Sequence, residues 1–258
     1  VLYHEQAGTG AAVVLIHEGI GDSRMWDPQW RTFTERYRTV RYDMRGFGRS
    51  PLPEEPFAHA ADLAALIDEL GIGPTALVAG SMGGRVALEL AVARPDLVSA
   101  LVLVAPALPG HDWSDEMRRY DAAEEEAIEA GDLDKAADLN VRFWVDGPGR
   151  GPDAVDPAVR DRVRNMQRRA LEIQLAAPGA EEELLVEDLA GRLGEISAPT
   201  LVLVGEHDLA DMHRIADRLV AEIPGARREL IEGTAHVPNM ERPQEFDRFV
   251  LGFLADGR

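Results

Sequence analysis

The chain of 258 residues contains no cysteine. That absence removes disulfides, thiolate metal sites and a thiol nucleophile together, and it fits a reducing compartment. Lysine is nearly missing as well: Lys135 is the only one, so arginine carries almost all the positive charge. Acidic residues number 46 against 27 basic ones, for a net charge of −19. Such a surface repels polyanions, so nucleic acid and anionic membranes are not expected partners. No apolar run approaches the ~20 residues that span a bilayer. No basic segment precedes an apolar stretch near the start, as a secretory signal would require. A cytoplasmic location is the expectation. A chain of this length buries on the order of 70% of its unfolded surface and needs no disulfide or metal staple.

What is present is an alternation of short apolar strands with amphipathic helices. The strand patterns are Ala12–His17, Arg38–Asp43, Thr75–Ala79, Ala100–Val104, Pro199–Gly205 and Arg228–Ile231. Helical periods cover Ser23–Arg36, Ala58–Leu70 stopped by Gly71, the stretch up to Arg94, His213–Ile223 and Pro243–Leu254. Continuous apolar strands of this kind belong to a parallel sheet covered on both faces. From about Pro106 to Ile196 the alternation breaks, and acidic helices at Asp115–Ala130, Leu133–Trp144 and Pro157–Ala176 take over. The expected organisation is a core of residues 1–106 and 197–258, with residues 107–196 inserted as a helical cap.

The run Ala79-Gly80-Ser81-Met82-Gly83-Gly84 joins a strand pattern to a helix pattern. Small residues let the backbone turn sharply there, which pushes the Ser81 hydroxyl out of the sheet. Serine attacks only when a base takes its proton and an acid orients that base. His236 lies just past the last strand, in Gly233-Thr234-Ala235-His236. Asp208 lies just past the preceding strand, in Gly205-Glu206-His207-Asp208, with Glu206 and Asp211 as competing carboxylates. His17 ends a buried strand and is expected to brace its turn. Asp43 and Arg45 are expected to stabilise their own loop, and His207 and His213 to stand outside the chemistry. A zinc-protease reading of His17-Glu18 fails because position 21 is Gly.

Taken in order, His17-Glu18-Gly19, Tyr42–Ser50, the Ser81 turn, Gly205–Asp208 and Ala235-His236 resemble the α/β-hydrolase superfamily over nearly the whole chain. Met25–Gln29 and Arg41–Ser50 are similar to the esterase and 3-oxoadipate enol-lactonase branch. The resemblance implies an α/β-hydrolase fold, a mostly parallel doubly wound sheet with the cap inserted after the strand ending near residue 105. It implies a carboxylic-ester or lactone hydrolase with Ser81 as nucleophile, His236 as base and Asp208 as orienting acid. It also implies an oxyanion hole made by the amides of Gly19 and Met82, and neither cofactor nor metal. The implied partner is a small or medium ester or lactone, and a homo-oligomer is compatible with the sequence. Trp113, Met117, Phe143, Trp144 and Met166 of the cap are candidates for the substrate pocket, or for packing cap onto core. Relatives with similar motifs include C–C hydrolases, perhydrolases and lyases without cofactors, and the same scaffold serves slow ligand-binding receptors. The pattern departs from the family at two places. Ala79 stands where glycine is usual. Glu18 stands beside the oxyanion hole, where a carboxylate facing inward would oppose the developing charge; it is expected to point away, toward an arginine.

Overall fold

The computed structural model describes residues 2–177 and 179–256. Among these residues one sheet is built from β1 (His4–Ala7), β2 (Ala12–Ile16), β3 (Arg38–Tyr42), β4 (Thr75–Gly80), β5 (Val98–Val104), β6 (Thr200–Gly205) and β7 (Arg227–Ile231). Its spatial order is β1-β3-β2-β4-β5-β6-β7. Every neighbouring pair is parallel except β1 with β3, where His4 faces Tyr42 and Ala7 faces Thr39. β4 and β6 are buried at every position, as parallel strands with both faces covered must be.

The helices are α1 (Asp27–Thr34), α2 (His59–Leu70), α3 (Ser81–Ala93), α4 (Asp115–Glu129), α5 (Leu133–Asn140), α6 (Pro157–Leu175), α7 (Ala210–Glu222), α8 (Pro238–Glu241) and α9 (Pro243–Asp256). α2 packs on α3, while α1, α8 and α9 pack together. Among the described residues no helix is long and apolar enough to cross a membrane.

Local chemistry sets several boundaries. α2 ends on Gly71 at φ +59°, the left-handed conformation that glycine adopts without a Cβ penalty. The first helical stretch opens as a 3-10 turn over Ser23–Trp26, because the Asp22 carboxylate accepts the Arg24 amide. The helix expected over Leu133–Trp144 stays α-helical only to Asn140 and then widens into a π-helical stretch, Val141–Asp146. At that switch Asn140 Nδ2 donates to the Ala136 carbonyl and Asn140 Oδ1 accepts from the Tyr120 hydroxyl, so a side chain competes for the helix's own acceptors.

The helical stretch between β5 and β6 is tied to the core at both of its ends. Leaving β5, Ser114 Oγ donates to Asp211 on α7 at 2.6 Å, and His111 Nε2 lies 3.0 Å from the same carboxylate. Returning toward β6, Glu182 pairs with Arg85 of α3 at 2.5 Å, and the Leu185 amide donates to Glu89 at 2.7 Å. Arg85 and Glu89 also pair with each other at 2.6 Å, both buried.

Candidate active site

The loops that follow β2, β4, β6 and β7 meet at the C-terminal ends of the strands. Register places them there: Ile16 pairs Ala79, Gly80 pairs Val104, and Gly205 pairs Ile231.

Ser81 is the first residue of α3 and has φ +45°. A non-glycine residue in that region stores roughly 1–3 kcal/mol and persists only where its surroundings impose it. Here β4 is clamped between β2 and β5, and the Ala107 amide donates to the Ser81 carbonyl at 3.0 Å. Two residues on, a Cβ at Gly83 would sit 2.4 Å from the His17 carbonyl oxygen, so only glycine lets the helix start this close to the β2 loop. The Met82 amide lies in the first turn of α3, where the helix dipole favours negative charge. Gly19 faces it: a Cβ on Gly19 would come within 3.7 Å of Met82 Cβ.

His17 joins two loops. Its Nε2 accepts the Met44 amide at 2.9 Å and its Nδ1 donates to the Glu18 carbonyl at 2.8 Å. Those roles require a neutral ring, and burial depresses its pKa accordingly. Asp43 accepts from the Ser23 and Arg49 amides, while Arg45 reaches Asp62 on α2 rather than its own loop. His207 is exposed on the surface, and His213 lies against Arg228.

His236 is buried to 1% exposure. Its Nδ1 lies 2.9 and 3.2 Å from the two Asp208 oxygens, and Asp208 Oδ1 also accepts the Leu209 amide. Burial alone would lower the imidazole pKa, but the Asp208 charge and hydrogen bond outweigh it, and the net shift is upward. Of the three carboxylates the sequence left in competition, Asp208 is the one at His236. Glu206 accepts the Gly233 amide at the surface, and Asp211 is occupied by His111, Ser114 and Arg214.

Glu18 corrects an expectation. It does not reach outward to an arginine: the side chain is fully buried, and neither carboxyl oxygen has a hydrogen-bond partner. The space it fills is opened by Gly80 on the neighbouring strand, where a Cβ would lie 2.6 Å from Glu18 Cγ. Desolvation raises its pKa to about 8, so the carboxyl is mostly protonated at neutral pH.

The five cap candidates separate by contact. The Trp144 ring lies 4.4 Å from the His236 ring, and the Trp144 carbonyl accepts the His236 amide at 3.3 Å. Phe143 stacks on Tyr120 at 4.1 Å. Met166 is buried, with its methyl 3.7 Å from where a Gly21 Cβ would stand, over the β2 loop. Trp113 sets its edge on His111, and Met117 sits in the first turn of α4 with its amide on Ser114 Oγ. Tyr120 was missed in the sequence reading, although it lies one turn beyond Met117 on α4 and its ring also meets Trp144. Among the described residues no group of three or more His, Asp or Glu side chains is placed to hold a metal ion.

An alcohol on a strained strand-to-helix turn, with a buried imidazole–carboxylate pair on the loops of the two last strands, is the arrangement of a hydrolase built on a doubly wound sheet. The model of the alpha/beta hydrolase fold family matches residues 11–243, and the chain belongs to that family of enzymes. The chain is 28% identical over 271 residues to 2-hydroxy-6-oxo-6-phenylhexa-2,4-dienoate hydrolase of Burkholderia cepacia, covering 99% of this chain and 92% of that one. Among solved structures it is similar to a thermophilic esterase from Thermogutta terrifontis, with TM-score 0.82, 26% identity, and 99% and 93% of the two chains covered. It is similar also to the enol-lactonase of Burkholderia xenovorans LB400, with TM-score 0.77, 26% identity, and 98% and 96% covered.

Proposed function

We propose that this protein is a serine hydrolase that cleaves a small or medium carboxylic ester or lactone. One observation carries the reading. Ser81 is held at φ +45° on the turn from β4 into α3, at the C-terminal rim of the sheet where His236 is buried and paired with Asp208. In the proposed sequence His236 takes the Ser81 proton as Oγ attacks the carbonyl carbon. Asp208 holds the Nδ1–H and stabilises the imidazolium, and His236 then returns the proton to the leaving alcohol. Water, activated by the same imidazole, releases the acid from Ser81. The amides of Met82 and Gly19 receive the oxyanion, a contact typically worth about 3 kcal/mol per donor.

The substrate class is read from the cap. Residues 107–196 act as a lid on the core, and Tyr120, Phe143 and Trp144 form an aromatic wall leading to His236. Such a wall suits an uncharged acyl or alcohol portion. The esterase and enol-lactonase among the similar structures support ester and lactone bonds as the target. The chain's net charge of −19 disfavours nucleic acid and anionic lipid as partners.

A fluorophosphonate probe tests the chemistry. Rapid labelling of the native protein, abolished in Ser81→Ala, is the expected outcome, together with turnover of p-nitrophenyl esters or lactones. Absence of labelling and of turnover would instead leave a binding protein on a hydrolase scaffold.

A further inference from the structure

Glu18 is buried at the centre just described, and the mechanism above gives it nothing to do. Its carboxyl rests against Gly80, the residue before the proposed nucleophile, with Oε1 2.8 Å from where a Gly80 Cβ would stand. Both oxygens are sealed from solvent and bonded to nothing. A buried carboxylate without a partner is costly enough that the group keeps its proton instead.

Groups from several elements face Glu18. On its own loop stands His17, neutral because Nε2 accepts the Met44 amide, with Nδ1–H donated to the Glu18 carbonyl. The 3-10 turn that follows offers the Met25 sulfur to the Glu18 amide at 3.4 Å. From β4 and α3 come Gly80 and Ser81, which carry no charge. From the loops after β6 and β7 come Asp208, which disfavours ionisation of Glu18, and His236, which favours it when protonated. The influence is mutual, since Glu18 in turn favours the protonated form of His236. The three groups Glu18, Asp208 and His236 therefore share one electrostatic site.

We propose that Glu18 is a positioning residue of this centre: it presents a neutral carboxyl beside Gly80 while the oxyanion forms, and losing its proton switches hydrolysis off. The inference rests on the serine-hydrolase reading. With Glu18 protonated and His236 neutral, the site carries only the Asp208 charge before attack. Proton transfer from Ser81 to His236 then creates one oxyanion and one imidazolium, and Glu18 keeps its proton throughout. Once Glu18 ionises, an extra negative charge lies beside the forming oxyanion, and it also holds a proton on His236 that the base must be free of.

The test compares the native protein with Glu18→Gln, which keeps shape without ionising, and Glu18→Met, which tests the same point if the amide disturbs folding. In the native protein kcat/KM for an ester should fall about tenfold per pH unit once pH passes the Glu18 ionisation. In both variants the plateau should extend at least ~1 pH unit further. An alkaline limb at the same pH in all three proteins overturns the proposal, as does a native profile without such a limb. Infrared difference spectra between native protein and Glu18→Gln supply a readout free of turnover. A protonated-carboxyl stretch present at neutral pH and lost in alkali supports the proposal, and its absence at neutral pH overturns it. A native protein that neither turns over esters nor takes the fluorophosphonate probe refutes the hydrolase reading itself, whatever the infrared band shows.

Discussion

The ring of Trp144 lies 4.4 Å from the ring of His236, and the Trp144 carbonyl holds the His236 amide at 3.3 Å. Two contacts of different kinds thus join the inserted helices to the proposed base. Trp144 lies within the π-helical stretch Val141–Asp146. Trp144→Ala keeps the carbonyl contact and removes the ring. We expect it to lower stability by about 3–5 kcal/mol, the usual cost of emptying a large buried aromatic site. Ester turnover should drop at least ~tenfold as the imidazole loses its wall. Denaturant midpoints and kcat measured on the same preparation check both numbers, and Trp144→Phe should recover most of the activity.

The Asp208–His236 pair makes a pH prediction with a definite sign. The proposed base, His236, can take a proton only when neutral, and its pKa lies above the ordinary histidine value despite burial, because of Asp208. Activity should therefore rise with pH through a limb above that ordinary value. Asp208→Asn removes the charge that opposes desolvation, so the limb should move to lower pH. Turnover should fall on the order of 10³–10⁴-fold as the ring loses its tautomer and orientation. A pH–rate profile that drops in height without moving its acid limb would contradict this assignment.

Arg85 and Glu89 form a buried pair that reaches across to Glu182 and the Leu185 amide. Removing one member of such a pair leaves its partner charged and desolvated. Arg85→Ala is expected to cost about 3–5 kcal/mol. The double variant Arg85→Met with Glu89→Leu should cost less than Arg85→Ala, because the fully buried Glu89 carboxylate is no longer left unpaired and only the half-buried Glu182 and the Leu185 amide lose a partner. Thermal or urea unfolding of the two variants distinguishes a coupled pair from simple loss of contacts. A double variant as unstable as Arg85→Ala would show that the apolar stems, not the charges, matter.

The layered α/β architecture was legible because runs such as Leu201-Val202-Leu203-Val204 are apolar at every position, short, rich in valine and bounded by Pro199 and Gly205, as a strand buried on both faces is. β1 was not legible. His4-Glu5-Gln6-Ala7 is polar, pairs on one side only, and is half-exposed. The widening after Asn140 was hidden too, since it turns on a side chain meeting Ala136 and Tyr120 rather than on any periodicity. At the site, motif order pointed to Ser81, Asp208 and His236 as candidates, with Glu206 and Asp211 as alternatives to Asp208. The pairing of Asp208 with His236 comes from the meeting of two loops that no spacing reveals. Glu18 was misread because the slot that accepts it is made by a missing side chain on a different strand, at Gly80.

The strand order has a consequence for how such a chain comes into being. Ser81 sits in the first third of the polypeptide, on a turn braced by β2, β4 and β5, whereas Asp208 and His236 arrive with β6 and β7 at the far side of the sheet. A polypeptide emerging from the ribosome at about 5–20 residues per second exposes the Ser81 alcohol well before His236, the proposed base, is made. Until the last strand docks, the newborn protein holds its strained serine without the buried imidazole–carboxylate pair that the proposed chemistry needs.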